Sequence, residues 1–124
     1  PDVSADRPLT FPRTLRVTRP GDFKRAYQRR VRRDVGCLVV YAVANGGPLP
    51  RLGLSVGRVV GGAVERNALK RRLREAFRLE QRDLPAGWDL VVVARPHALR
   101  SLDDYRALLR KAAAELVRAS GTGS

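Results

Sequence analysis

At 124 residues the chain is long enough for one compact domain and short for two. Its 25 Lys and Arg against 12 Asp and Glu leave a net charge of +13, a self-repulsion that a polyanion relieves, so nucleic acid is the first candidate partner. No apolar run approaches the ~18 residues that span a bilayer, no segment resembles a signal peptide, and the lone Cys37 excludes an intramolecular disulfide; a cytoplasmic protein without a membrane partner is expected.

Residues 1–12 mix Pro, Asp, Ser and Arg without period and read as a flexible arm, and residues 120–124 as a flexible tail. One domain over residues 13–119 is expected between them. From about Pro20, Phe23, Tyr27 and Val31 recur at i, i+4 and i+8, the face of a short helix whose other sides carry Lys24, Arg25, Arg29 and Arg32. Gly36 to Ala44 and Arg51 to Val56 read as strands, and the turn cluster Asn45-Gly46-Gly47-Pro48 between them suggests a hairpin. A further strand is allowed between Asp34 and Val56. After Gly61-Gly62 the period becomes helical from Ala63 to Arg82, with Leu69, Leu73, Ala76 and Phe77 on one stripe. Trp88 to Ala94 is a continuous apolar strand, and Ser101 with Asp104 resembles a capping box that opens a last helix through Arg118. The expected fold is α/β, an α+β sandwich in which a small, mostly antiparallel sheet packs with helices in the order α-β-β(-β)-α-β-α.

The most informative segment runs from Glu65 to Arg78, because its basic residues are patterned as well as numerous. At about 100° per residue, Asn67, Arg71, Arg74 and Arg78 fall on one stripe away from Leu69, Leu73 and Phe77, while Arg66 and Lys70 form a row on its flank. Such a helix rests its apolar side on a sheet and presents guanidinium groups to phosphates. A merely solvated helix face is the competing reading, but only Glu65, Glu75 and Glu80 offset the charge. Phe23, Tyr27 and Tyr41 suit a stacking platform for unpaired bases, although aromatics at helical spacing more often belong to a core.

Catalytic machinery is not legible. The single histidine, His97, lies in a turn, Ala94-Arg95-Pro96-His97-Ala98, where an exposed turn residue outranks a general base. There is no Cys/His cluster, supported carboxylate pair, phosphate-binding P-loop or nucleophile elbow in the sequence. Gly61-Gly62 before a helix suits either a phosphate cradle or a tight turn. No catalytic residue and no protein metal site are therefore expected.

The run Arg51-Leu52-Gly53-Leu54-Ser55-Val56-Gly57-Arg58, followed by Ala63-Val64-Glu65-Arg66-Asn67 and Lys70-Arg71, resembles the signature region of the bacterial ribonuclease P protein family. Phe11-Pro12-Arg13, Leu15-Arg16, Phe23 and Tyr27 upstream and Val91-Val92-Val93-Ala94-Arg95 downstream extend the resemblance over roughly residues 9–118. It implies the protein subunit of a ribonucleoprotein endoribonuclease that removes the 5′ leader of precursor tRNA, with the catalytic groups and the Mg²⁺ in the RNA subunit. It further implies a left-handed βαβ crossover, against the general preference. Carried over by position, Arg66, Asn67, Lys70, Arg71 and Arg74 contact the catalytic RNA, with Arg58 and Arg78 expected to join them, and Phe23, Tyr27, Val39, Tyr41 and Ser55 line a cleft for the leader. The implied partners are that RNA and the precursor tRNA leader, with no protein partner.

Three positions depart from the family pattern: Ala68 replaces the second Arg of Arg-Asn-Arg, Val59 a usually basic residue, and Leu38 a common aromatic. Each removes a contact, while arginines at 72, 74 and 78 add charge. The rival readings are a ribosomal or RNA-chaperone protein, a stand-alone nuclease and a DNA-binding module.

Overall fold

Alternation along the longest strands sets the architecture. In β2 (Leu38–Ala44), Leu38, Val40 and Ala42 point to one side and Val39, Tyr41 and Val43 to the other, and in β4 (Trp88–Ala94) Leu90, Val92 and Ala94 alternate with Asp89, Val91 and Val93. Both sides are apolar because both are covered by helices. The computed structural model describes residues 16–17, 20–29, 31–45, 47, 49–84 and 87–121. The remaining elements are α1 (Pro20–Arg29), β1 (Arg32–Asp34), β3 (Arg51–Ser55), α2 (Ala63–Glu80) and α3 (Leu102–Gly121), with a 3-10 turn at Arg58–Val60 before α2.

The described strands form one mixed sheet in the order β1-β2-β4-β3, in which β3 and β4, joined through α2, run parallel and the other two pairs antiparallel. The main core lies on the side of Leu38, Val40, Leu90 and Val92, where α2 contributes Leu69, Leu73 and Phe77 and α3 contributes Tyr105, Leu109 and Leu116. Phe77 and Tyr105 are fully buried, each contributing roughly 1.5–3 kcal/mol of apolar transfer energy. On the opposite side Ala26 of α1 packs on Val43 and Val91, flanked by Phe23, Tyr27 and Tyr41. The expected α+β class with a mostly antiparallel sheet is what the chain adopts.

Several boundaries differ from the sequence reading. Helix α1 ends at Arg29, so Val31 is not on its face: the Val31 carbonyl accepts the Ala42 N–H at 2.9 Å and Arg32 pairs with Tyr41. A β-branched residue favours that extended conformation. The sheet therefore has four strands, and its hairpin is β1–β2, tightened where Asp34 Oδ1 accepts the Gly36 N–H at 2.9 Å. β2 and β3 do not form a hairpin, because β4 enters between them. Helix α2 stops at Glu80 instead of Arg82, and α3 reaches Gly121, two residues into the expected tail. Its start matches the capping signal, with the Asp104 N–H donated to Ser101 Oγ at 3.1 Å. The expected arm over residues 1–12, the Phe11-Pro12-Arg13 match and residues 122–124 lie outside the described residues.

Candidate nucleic-acid interface

Strand register gathers the cleft residues from four elements. Val39, Val93 and Ser55 form one row across β2, β4 and β3, and Tyr41, Val91 and Gly53 form the next. Alternation turns both rows toward the side that α1 covers. Helix α1 sets Phe23 and Tyr27 one turn apart above this floor, with ring centroids 6.5 Å apart, and Tyr27 meets Tyr41 edge-on at 4.9 Å. Phe23, Tyr27, Tyr41 and Ser55 are half-buried, whereas Val39 is only 6% exposed and belongs to the floor. The result is a half-open aromatic margin, not a sealed core. Arg32 brings a cation to it, its Nη1 lying 3.4 Å from the Tyr41 hydroxyl.

Glycine at position 53 makes this approach feasible. A Cβ built there would stand 2.9 Å from Val17 Cβ and 3.1 Å from the Phe23 ring, closer than a side chain can be accommodated without displacement.

The basic surface is built on α2. Asn67, Arg71, Arg74 and Arg78 line one open groove of about 560 Å³ together with Glu75 and Arg16. Arg16 is held there because it bridges Leu52 at the outer edge of β3, where the Val17 N–H also donates to the Leu52 carbonyl at 2.8 Å. Partial desolvation and, second to it, the Arg16 charge hold the Arg74 guanidinium below its ordinary pKa. Arg78 is engaged with Glu75 through hydrogen bonds of 2.8 and 2.6 Å, which raise the arginine and lower the carboxylate from their ordinary values.

The other basic residues are placed differently. Arg66 and Lys70 are half-buried, and the buried Arg66 Nε has no hydrogen-bond partner among the described residues. Arg58 is exposed in the 3-10 turn beyond Ser55. Arg72, expected only to add charge, is engaged away from the stripe, where its Nη1 donates to the Arg100 carbonyl at 2.7 Å.

Two buried carboxylates escaped the sequence reading. Asp89 binds Arg51 and Asn45, and Glu80 accepts from Arg106 at 2.6 Å with Arg110 at 3.5 Å. Asp89 was detectable only as an acid inside an otherwise apolar strand, and Glu80 read only as one of the acids that offset the charge of α2. His97 is half-buried, not an exposed turn residue: its Nδ1 donates to the Arg95 carbonyl and its Nε2 accepts from the Tyr105 hydroxyl, both at 2.7 Å. Cys37 is buried, which pushes its thiol up.

A family model described as Ribonuclease P matches residues 11–119. The chain belongs to the ribonuclease P protein family. The ribonuclease P protein component of Oleidesulfovibrio alaskensis is 44% identical over 107 residues, covering 85% of this chain and 82% of that protein. That of Roseiflexus castenholzii is 37% identical, covering 73% and 74%. Among solved structures, the ribonuclease P protein from Thermotoga maritima superposes with a TM-score of 0.69 at 30% identity, covering 77% of this chain and 96% of that one. The Staphylococcus aureus ribonuclease P protein gives 0.65 at 28% identity, covering 86% and 94%.

As a ribonuclease P protein component the chain is a subunit of a ribonucleoprotein endoribonuclease that acts in tRNA 5′ processing. Among the described residues, no group of three His, Cys, Asp or Glu is placed to hold a metal ion. No described helix is long and apolar enough to cross a membrane.

Proposed function

We propose that this ribonuclease P protein positions two RNA segments at once, the ribonuclease P RNA on the α2 stripe and the single-stranded 5′ leader of precursor tRNA in the cleft between α1 and the sheet. The observation that carries this reading is the separation of the two surfaces: the aromatic margin lies on the α1 side of the sheet, whereas the basic groove lies on α2 and Arg16 at the β3 edge. The basic groove suits phosphates, because Arg71 and Arg74 make no hydrogen bond or ion pair with described residues and Arg74 is crowded by Arg16. The aromatic margin suits unpaired bases, which stack without regard to sequence.

In this reading the RNA subunit supplies the catalytic groups and binds Mg²⁺. The protein holds the leader in line and lowers the repulsion between substrate and catalytic RNA with its +13 charge. It works in the cytoplasm, where precursor tRNAs are made. Addition of the chain to its cognate RNA should raise precursor cleavage most at low Mg²⁺ and should tighten binding of precursor over mature tRNA. Lack of stimulation at every Mg²⁺ concentration defeats the subunit mechanism. Stimulation without leader dependence instead favours a general RNA-chaperone role.

A further inference from the structure

Among the described residues three large apolar side chains are conspicuously exposed: Val59 at 72%, Val64 at 81% and Leu99 at 46%. Single exposed apolar residues are ordinary on a protein surface, but Val64 and Leu99 share one groove. Val64 and Leu99 line one groove of about 300 Å³ together with Val60, Ala68 and Leu69, and Val59 precedes Val60 in the 3-10 turn. One departure from the family pattern, Ala68, lines this groove, and another, Val59, is the chain neighbour of its Val60.

The far wall is held in position. Arg72 Nη1 donates to the Arg100 carbonyl at 2.7 Å, the Arg100 N–H donates to the Tyr105 hydroxyl at 3.0 Å, and that hydroxyl donates to His97 Nε2. These bonds tie the loop carrying Leu99 to both α2 and α3, so the groove exists before any ligand arrives. Its volume is at the lower end of the roughly 300–1,000 Å³ of small-ligand clefts, enough for one flat heterocycle.

The groove borders the basic stripe along α2. Val64 and Ala68 alternate along α2 with Asn67 and Arg71 at helical-neighbour spacings of i+3 and i+4, so a strand whose phosphates lie on Arg71 and Arg74 passes the apolar groove. Glu65 also lines the groove, with no ion pair or hydrogen bond to another described side chain. A carboxylate repels a phosphate but accepts from the exocyclic amine of a base. The high positive charge disfavours a second copy of the chain as occupant.

We infer that this groove receives one unstacked adenine or cytosine of the ribonuclease P RNA, so that where the family pattern places basic residues this chain reads a base instead of a phosphate. The inference rests on the proposed docking of that RNA on α2. Base insertion buries an apolar heterocycle between Val64 and Leu99 and directs its amine toward Glu65.

Dimethyl sulfate probing of the cognate RNA, free and bound to the full chain, tests this directly. The wild-type chain should protect the Watson–Crick edge of one unpaired adenine or cytosine. Ala68→Leu, which fills the groove without changing charge, should re-expose that base and weaken binding about tenfold, the scale of one stacked base, with the salt dependence unchanged. Leu99→Ser, at an exposed loop position that carries little of the fold, should re-expose the same base. Ala68→Arg should lose the protection while steepening the salt dependence by about one phosphate contact. Wild-type binding with no protected base, or with protection indifferent to Ala68→Leu and Leu99→Ser, overturns the groove but leaves the α2 docking intact. A wild-type chain that does not bind the RNA overturns both. Dimerisation that is lost in Leu99→Ser makes the groove a contact between copies and overturns the base assignment.

Discussion

The Arg51 guanidinium grips the fully buried Asp89 carboxylate through two hydrogen bonds, 2.7 Å from Nε and 2.6 Å from Nη2. The same carboxylate accepts from Asn45 Nδ2 at 3.0 Å and faces Arg25 of α1 at 3.7 Å, while Asp22 of α1 reaches Arg51 at 3.6 Å. One acid thus ties together the end of β2, β3, β4 and the helix that forms the cleft. This pairing holds Arg51 above its ordinary pKa. It fixes where α1 crosses the sheet, and with it the distance from Phe23 and Tyr27 to the strands.

Asp89→Ala should destabilise the protein by about 3–5 kcal/mol, because it leaves partly buried cations without their partner. Asp89→Asn, which keeps the shape and one acceptor oxygen, should cost less. A urea midpoint for each variant measures the difference. In the folded fraction, preference for precursor over mature tRNA should fall before affinity for the catalytic RNA does, since the carboxylate anchors α1 and not α2. Equal loss of both affinities contradicts a separate cleft.

Gly53→Ala addresses the cleft from its floor. The added methyl would meet Val17 Cβ at 2.9 Å and the Phe23 ring at 3.1 Å, so one of the two must shift, at about 1–3 kcal/mol for an overpacked contact. The expected result is a lower melting temperature together with weaker leader-dependent binding. An unchanged melting temperature shows that Phe23 moves freely, which the stacking role does not allow.

Helical period made α2 and its stripe legible, because residues that share a face recur within a few positions of one another. The apolar run of β4 was equally plain. Sheet order was not, since a turn cluster such as Asn45-Gly46-Gly47-Pro48 reports that the chain reverses and not which strand it joins; β4, dozens of residues later, pairs with β2 on one side and β3 on the other. The strand β1 was hidden because a basic sequence, Arg32-Arg33-Asp34, lacks the alternation that marks a half-buried strand. The cleft positions Val93 and Gly53 followed only from register. Asp89 looked like a polar residue near a strand end, and its function depends on an arginine 38 positions away.

Acid should weaken one corner of the fold in a defined direction. The Arg95 guanidinium, 2.7 Å from Asp34 Oδ2, and then the Gly36 N–H hold the Asp34 carboxyl below its ordinary value of 3.8. A carboxylate depressed in the folded state stabilises that state above its unfolded pKa, and this contribution is lost as pH falls through the lower folded value. The stability gap between wild type and Asp34→Asn should therefore be present at about pH 6 and shrink between about pH 5 and pH 2. Chemical denaturation across that range reads it, and a gap independent of pH rules the pairing out.

The arginines of α2 separate by what already occupies them. Arg71 and Arg74 line the groove with Asn67 and make no hydrogen bond or ion pair with described residues, whereas Arg72 is committed to the Arg100 carbonyl. Affinity for the catalytic RNA, followed against salt concentration, should show the difference. Arg71→Ala with Arg74→Ala should weaken binding and reduce the magnitude of the log–log slope by about 1–2, as expected for one or two lost phosphate contacts. Arg72→Ala should leave the slope unchanged, because removing a side chain that holds a loop releases no counterions from RNA. If Arg72→Ala flattens the slope as much as the double variant, the phosphates run along the opposite flank of α2, and the groove shared by Arg16, Arg71 and Arg74 is not where the RNA docks.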